Sequence, residues 1–445
     1  MLILYHGYIL GRYSQFVNSV ENRADLMEKK RHNIASTLKT VILPATIGNI
    51  LEWYDFTLYG YFASIFAALY FPSNDKFLSL LAAYGLFAAS YFMRPVGALV
   101  FGYIGDTLGR KHSLAYSIIL MGISNLVLSI LPTYAEWGIM AGVCLTILRL
   151  VQGFAVGGEY SGATIYLIES AKPTQRTFFG SLALSSAYTG FLLSSAVGTL
   201  LTTVFSPHDL TTWGWRLGFA LGCLIAIVGL YIRKKLRDTP VYRNLEKTTH
   251  GHHANPLKIL FIDNYKTLSL ALGIALLPAG FTYIIFVYLS QFLSLYTDTS
   301  SQHILFINTI CMLYVVIAIP FIGILADKIG RRPLMITSAT LIVLLCIPLL
   351  ILSVHYALIA LILMASLHIL YESNIPAEVA EMFPASCRYT GLAVTLNLTN
   401  GVAGGLAPMI ASVLIYGTHL LVSPMFYIIG LGIITLVTLF IVKQQ

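Results

Sequence analysis

Long apolar stretches, separated by short polar breaks, run through almost the whole chain. A helix needs about 20 mostly apolar residues to cross the ~30 Å hydrocarbon core of a membrane. Stretches of that length occur twelve times, at residues 42–70, 77–101, 112–131, 138–162, 178–204, 213–232, 266–293, 303–325, 333–353, 356–380, 388–415 and 421–441. The pattern predicts an all-α integral membrane protein with twelve transmembrane helices.

One long polar stretch, residues 233–265, separates the sixth predicted span from the seventh. It divides the spans into two sets of six. We therefore predict four regions: a cytoplasmic N-terminal segment, a first six-helix half, a central cytoplasmic loop and a second six-helix half. Their predicted bounds are 1–37, 38–232, 233–265 and 266–445.

Two motifs recur at matching places and indicate that the halves are duplicated. A Gly-x3-Asp-x2-Gly-Arg-Lys/Arg motif follows the second span at Gly102–Lys111 and the eighth span at Gly323–Arg332. A Glu and an Arg seven residues apart follow the fourth span at Glu169–Arg176 and the tenth at Glu381–Arg388. Pseudo-symmetric parallel halves are typical of carriers whose solute site lies near the membrane midplane between the halves.

Composition and charge placement agree with a membrane protein. Apolar residues make up 57% of the chain and charged residues only 10%, whereas soluble domains carry about 25% charged residues. The formal net charge is +8. With the N-terminus inside, only Lys76 and Arg216 lie in or beside the outer loops, which is the positive-inside distribution. The charge therefore predicts two cytoplasmic termini and no nucleic-acid partner.

The duplicated loop motif predicts a gate. Asp106 and Asp327 can each accept hydrogen bonds from exposed N–H groups at the N-terminus of another helix. Arg110 and Arg331 would complete an ionic latch at the cytoplasmic face, and the glycines allow a tight turn. The alternative is a plain turn with lipid-facing basic residues.

Two more charged residues join the predicted gating set, Arg94 in the second span and Glu159 in the fourth. A structural ion pair is the alternative for Arg94, which stands beside Pro95 towards the inner end of its span. Close helix packing is the alternative for Glu159, because Gly157 and Gly158 precede it.

Two carboxylates in the first span, Glu52 and Asp55, are candidates for proton coupling. A carboxylate at the bilayer centre costs at least ~2.5 kcal/mol. A spacing of three residues places both on one helical face, and a close pair suits reversible proton binding. The alternative is a structural hydrogen-bond network.

A second proton-coupling candidate is the pair His368 and Glu372, four residues apart in the tenth span. Imidazole titrates near physiological pH and can relay protons. The alternative is a hydrogen bond that only holds helices together.

Arg149, near the middle of the fourth span, is a candidate for substrate binding. It would either anchor a substrate carboxylate or pair with Glu52 or Asp55. The aromatic side chains of the first two spans are candidates for a cage around a quaternary ammonium, with core packing as the alternative. They are Trp53, Tyr59, Tyr84 and Tyr91.

Several functions lack their motifs. The chain has no phosphate-binding Gly-x4-Gly-Lys-Ser/Thr loop and no recognisable nucleophile elbow or zinc-hydrolase motif. We therefore predict no enzyme activity, no cofactor and no metal site. The histidines of the central loop are predicted to be solvated; they are His250, His252 and His253.

Four segments, taken together, resemble the metabolite:proton symporter branch of the major facilitator superfamily. They are Gly48–Phe56, Met93–Pro95, Gly102–Lys111 and Gln152–Tyr160. The resemblance implies the major facilitator fold, alternating access, uptake driven by a proton gradient and a bacterial inner-membrane location. The partners it implies are the bilayer, a small solute and protons.

Within that branch, Gly158–Ala163 and Asn397–Pro408 are more similar to the proline/betaine members than to the dicarboxylate members. His368 and Glu372 depart from the uncharged residues expected there. The expected function is import of a small carboxylate-bearing solute with protons, foremost a zwitterionic osmolyte such as proline or glycine betaine. The alternatives are an organic acid such as citrate, α-ketoglutarate or shikimate, export instead of import, and a membrane sensor that transports nothing.

Overall fold

A computed structural model describes residues 38–234, 236, 238–249, 255–297 and 301–443. The predicted N-terminal segment 1–37 and the three central-loop histidines lie outside the described residues.

Twelve membrane helices, numbered α1 to α12, correspond to the twelve predicted spans. Their bounds are α1 Leu43–Tyr61 (continued by Ala63–Tyr70), α2 Lys76–Thr107, α3 Arg110–Ile130, α4 Ile139–Ser170, α5 Arg176–Val204, α6 Pro207–Arg233, α7 Tyr265–Tyr288 (continued by Leu289–Tyr296), α8 Ser301–Ile329, α9 Arg331–His355, α10 Ala357–Met382, α11 Arg388–Thr418 and α12 Pro424–Lys443. A short helix, Pro240–Thr249, follows α6 and is called the loop helix below.

Ten of the helices, α3 to α12, are each long and apolar enough to cross a membrane. Helix α1 is less apolar because Asn49, Glu52 and Asp55 interrupt it. All three of these polar side chains are buried inside the bundle. Their burial keeps them away from lipid, where an unpaired charge would be costly.

The helices form two bundles that meet along two seams. In the first half, α1 packs along α5, α2 along α4, and α3 along α6. The two halves touch chiefly where α2 meets α11 and where α5 meets α8, which are equivalent pairs under the duplication. The predicted all-α fold of two pseudo-symmetric halves is confirmed, while the four domain bounds stay predictions.

Glycines let α2 and α4 approach each other closely. A Cβ atom at Gly157 would collide with the backbone carbonyl of Arg94, and one at Gly153 with that of Ser90. From the other side, a Cβ atom at Gly97 would meet the carbonyl of Phe154. Small residues four apart at a helix contact permit such packing in membranes. The approach fixes Arg94 relative to α4.

Replacing Gly157 by Val tests this contact. The added side chain would force α2 and α4 apart, and we expect a destabilisation of about 3 kcal/mol or more. The matched control is Gly430→Val in α12, because a Cβ atom at Gly430 meets nothing within 4 Å. Thermal melting of the detergent-solubilised protein should show a lower Tm for Gly157→Val alone. Equal melting of both variants would contradict close packing here.

Candidate functional site

At one end of the bundle, Asp106 joins the first half to the second. Its carboxylate accepts hydrogen bonds from the backbone N–H groups of Tyr389 (3.2 Å) and Thr390 (2.9 Å) at the start of α11, and from the Thr390 hydroxyl (2.8 Å). A negative charge at a helix N-terminus is favourable. The predicted contact between Asp106 and another helix's N-terminus is therefore confirmed.

Arg110 extends this contact into a buried network. Its guanidinium lies 2.8 Å from an oxygen of Asp106 and binds both oxygens of Glu169, at 3.0 and 3.1 Å. Glu169 also accepts a hydrogen bond from the Thr239 hydroxyl (2.6 Å) and faces Arg388 of the second half at 3.5 Å. We call these residues the first latch arm.

The second half supplies an equivalent arm. Asp327 accepts hydrogen bonds from the backbone N–H groups of Thr177 (3.0 Å) and Phe178 (2.9 Å) at the start of α5. Arg331 binds the Thr177 hydroxyl at 2.8 Å and Glu381 at 2.6 Å, and Arg176 binds Glu381 at 2.7 Å. This second latch arm closes the same end of the bundle, which we call the basic end.

The two arms differ in burial. The side chains of Asp106, Arg110 and Glu169 are 0% exposed, whereas Arg176 and Glu381 are 27% and 31% exposed. Breaking a buried ion pair leaves an uncompensated charge, whereas an exposed pair contributes little. Removing one partner from the first arm should therefore cost more than removing one partner from the second. The gating roles of Asp106, Arg110, Asp327 and Arg331 stay predictions.

Glu159 makes its contacts within the first half. It forms a buried ion pair with Arg233 of α6 and accepts a hydrogen bond from Ser117 of α3. Arg233 also donates to the carbonyls of Pro44 (2.9 Å) and Leu114 (2.6 Å). These contacts brace α1, α3, α4 and α6 together. The predicted gating role of Glu159 stays a prediction, and its contacts favour the packing alternative.

Two arginines in the middle of the first half are buried with unused hydrogen-bond donors. Arg94 and Arg149 are 3% and 0% exposed, and the Nε and Nη2 atoms of each have no acceptor among the described residues. Neither forms an ion pair within the described part of the chain. A buried charge in this state is costly. Guanidinium donors of this kind can bind an anionic group.

Asp55 is linked to Arg149 through two amide side chains. Arg149 donates to Gln152 (2.8 Å), Gln152 donates to Asn125 (2.8 Å), and Asn125 donates to one oxygen of Asp55. The other oxygen of Asp55 is buried without a partner in the described part of the chain. We call these four side chains the polar relay. Direct pairing of Arg149 with Asp55 or Glu52, one of the two alternatives above, is not seen.

Glu52 lies apart from the polar relay. Both of its carboxylate oxygens are buried, and no other described side chain gives either of them a hydrogen bond. The positive charge of Arg94 in α2 acts on Glu52 electrostatically. The two carboxylates of α1 thus face different partners, although they are only three residues apart.

Aromatic rings surround both guanidiniums. The Arg149 guanidinium lies 4.1 Å from the ring centre of Tyr59, and the Arg94 guanidinium lies 4.4 Å from Tyr91 and 5.2 Å from Trp53. Phe56, another aromatic residue of the first span, lies within 5.2 Å of both guanidiniums. These rings lower the cost of the buried cations. The side chain of Tyr84, also predicted to bind substrate, lies outside those that the structure describes.

His368 and Glu372 lie where the two halves face each other. Their side chains are 2.7 Å apart, which confirms that they share one face of α10. Tyr188 of α5 donates a hydrogen bond to Glu372 (3.1 Å). The Thr282 hydroxyl of α7 lies 3.0 Å from Nε2 of His368, the nitrogen that faces Glu372. The cluster therefore joins helices of both halves. Its role in proton coupling stays a prediction.

Sequence reasoning missed four residues that complete these networks. Asn125, Gln152, Arg233 and Thr239 carry polar groups that become important only through partners far away in the chain. The repeated Glu and Arg pairs had signalled Glu169 and Glu381, but nothing in the sequence indicated that Glu169 binds Thr239. Among the described residues, no cluster of His, Cys, Asp and Glu could hold a metal ion.

Comparisons with known proteins agree with this architecture. Residues 41–255 match the family model described as Sugar (and other) transporter, and residues 270–444 match the one described as Major Facilitator Superfamily. A proline/betaine transporter of Salmonella typhimurium is 30% identical over 413 residues, which cover 90% of this chain and 82% of the relative. A glycine betaine/proline/ectoine/pipecolic acid transporter of Dickeya dadantii is 30% identical and covers 92% and 83%.

Solved structures show the same fold at low identity. The proton:xylose symporter XylE bound to 6-bromo-6-deoxy-D-glucose has a TM-score of 0.70 with 18% identity, over 92% of this chain and 96% of that one. The E. coli fucose:proton symporter FucP has a TM-score of 0.68 with 13% identity, over 90% and 97%.

Two six-helix halves closed at one end by equivalent latch arms define a multi-pass membrane transporter. The chain belongs to the major facilitator superfamily, in the same branch as these proline/betaine transporters. It is not an enzyme.

Cys387 offers a direct test of the latch. It lies between α10 and α11, is 0% exposed, and its burial raises the pKa of its thiol to about 12, with the nearby Asp106 adding to the effect. Because the thiolate is the reactive form, a raised pKa slows alkylation. Opening the basic end would hydrate the thiol and lower its pKa.

We expect Asp106→Asn and Asp327→Asn each to speed maleimide labelling of Cys387, by about tenfold or more for Asp106→Asn and by less for Asp327→Asn. The measurement uses a background in which the other four cysteines are replaced by serine. Asp327→Asn is the decisive variant, because Asp327 belongs to the other latch arm and binds the start of α5. Faster labelling of Cys387 in this variant would have to come from opening of the basic end. Unchanged labelling in that variant would argue against a gate shared by both arms.

Proposed function

We propose that the chain is a proton-driven symporter that imports a small zwitterionic osmolyte such as proline or glycine betaine. The observation that carries the proposal is the set of unused donors and acceptors at the centre of the first half. Among the described residues, the Nε and Nη2 atoms of Arg94 and Arg149 have no acceptor, although they are buried. No described side chain donates a hydrogen bond to the buried carboxylate of Glu52 or to Oδ1 of Asp55. Such groups gain hydrogen bonds when a solute or a proton arrives.

The arginines suit the carboxylate end of the solute. A guanidinium with two free donors can bind a carboxylate in the bidentate geometry. The relatives at 30% identity are named for proline, betaine, ectoine and pipecolic acid, and each of these compounds carries one carboxylate and one cationic group.

Protons would bind at Asp55 and Glu52. The polar relay connects Asp55 to Arg149, so a change of charge at Asp55 alters the hydrogen bonds that hold Arg149. Carboxylate binding at Arg149 and protonation of Asp55 would then favour each other. That mutual dependence is what symport requires. The proton gradient supplies the energy, and the proposal involves no cofactor.

The basic end would face the cytoplasm of a bacterial inner membrane. The positive-inside distribution of Lys and Arg supports this orientation, which places both termini in the cytoplasm. A closed basic end then leaves the solute site to be reached from outside, as uptake requires.

An organic acid is the second candidate solute. Two buried guanidiniums in one half would serve two carboxylates as readily as one. Transport separates the candidates: proteoliposomes with an alkaline interior receive labelled proline, glycine betaine, α-ketoglutarate, citrate or shikimate. Accumulation of a zwitterion that stops when the pH gradient is collapsed supports the proposal. Accumulation of an organic acid alone supports the second candidate, and accumulation of none contradicts both.

Asp55→Asn tests the coupling. The amide keeps the size of the side chain and can still bond to Asn125, but it cannot take up a proton. We expect uphill uptake to fall to background while exchange of labelled for unlabelled solute across the membrane continues. The control is Asp75→Asn in the exposed outer loop, which should leave uptake unchanged. Full uphill uptake by Asp55→Asn would remove Asp55 from the coupling role.

A further inference from the structure

A line of aromatic rings runs from the first half towards the second. Trp53 of α1 packs on Phe191 of α5 with ring centres 5.0 Å apart, and Phe191 packs on Tyr188 with ring centres 6.0 Å apart. Trp53 and Phe191 remain partly exposed within the bundle. We call these three rings the aromatic wall.

Opposite charges stand at the two ends of the aromatic wall. The Arg94 guanidinium lies 5.2 Å from the ring centre of Trp53. At the other end, the Tyr188 hydroxyl donates a hydrogen bond of 3.1 Å to Glu372. The aromatic wall therefore has a cation at one end and an anion at the other. This order favours one orientation of a zwitterion that lies along the wall, with its ammonium toward Glu372.

Glu372 is held in place and still has a free oxygen. Its Oε2 atom accepts from Tyr188 and lies 2.7 Å from Nε2 of His368, whereas Oε1 receives no hydrogen bond from the described residues. The Glu372 side chain is 17% exposed, while His368 is fully buried beneath it. A carboxylate with one oxygen fixed and the other accessible is suited to bind a cation.

We propose that Glu372, together with the aromatic wall, binds the ammonium end of the solute. This inference rests on the proposed function and deepens it, because it gives the zwitterion an orientation. The carboxylate end lies toward Arg94 of the first half and the ammonium end toward Glu372 of the second. Aromatic faces attract such cations, and the carboxylate adds a charge partner.

The test compares two solutes of the same shape. Glycine betaine and 3,3-dimethylbutyrate differ only in that a neutral carbon replaces the quaternary nitrogen. We expect the wild-type protein in nanodiscs to bind glycine betaine about tenfold to a hundredfold more tightly, as measured by calorimetry. Glu372→Gln should reduce that ratio about tenfold, mainly by weakening betaine binding. Glu136→Gln, in an outer loop where Gln also satisfies the helix cap, should leave the ratio unchanged.

Each outcome decides the inference. Equal binding of the two solutes by the wild type would overturn the inference and leave the proposed function standing. An unchanged ratio in Glu372→Gln, with the variant shown to be folded by its melting, would also overturn it. If that variant does not fold, Tyr188→Phe keeps the ring but releases Glu372, and the same smaller ratio is expected. No binding of any zwitterion, with no uptake, would overturn the proposed function and this inference with it.

Discussion

A charge inside an apolar bundle needs a partner, and the structure depends on how each buried charge finds one. At the basic end, Asp106 and Asp327 each accept hydrogen bonds from the N-terminus of a helix of the opposite half. A helix N-terminus offers N–H groups that are left free by the helix itself. The two halves therefore hold each other by backbone groups that any sequence would supply, once α5 and α11 begin at those positions.

The glycines of the repeated motif serve that contact in two ways. Gly109 and Gly330 have φ values of +105° and +95°, which only glycine adopts without strain, and they turn the chain between neighbouring helices. Gly102 and Gly105 lie against Thr390 and Tyr389, so that α2 can reach the start of α11. A larger residue at either position would keep Asp106 away from its partners. The motif thus encodes both the charge and the space that the charge requires.

The charges at the centre of the first half differ from those of the basic end, because the described residues do not pair them in the same way. Arg94 and Arg149 keep buried donors for which the described residues offer no acceptor. Such donors are costly, and the nearby aromatic rings lower that cost. In the function proposed above, the carboxylate of the solute removes the remaining cost. The ion-paired charges of the basic end thus contrast with Arg94 and Arg149, which form no ion pair within the described part of the chain.

The fold and the basic end could be predicted from the sequence because their signals are local or repeated. Span length, the long central break and the duplicated motif each appear within a short stretch. The buried charges of α1 and α4 could also be predicted from the sequence, since a charged residue within an apolar run is easily recognised. Their partners Asn125 and Gln152 could not be predicted, because nothing in the sequence distinguishes them from other polar residues. Their role becomes visible only in the fold, where α3 and α4 place them between Asp55 and Arg149.

Thr239 shows what fusion of two halves into one chain makes possible. It stands at the start of the loop helix, in the segment that joins the halves, and it gives Glu169 a hydrogen bond. If two identical six-helix halves assembled as a dimer, their two latch arms would have the same residues. A single chain can instead use its connecting segment on one arm only, and here that segment forms part of the first latch arm. Duplication supplied the symmetry, and the covalent link allowed the two sides to diverge.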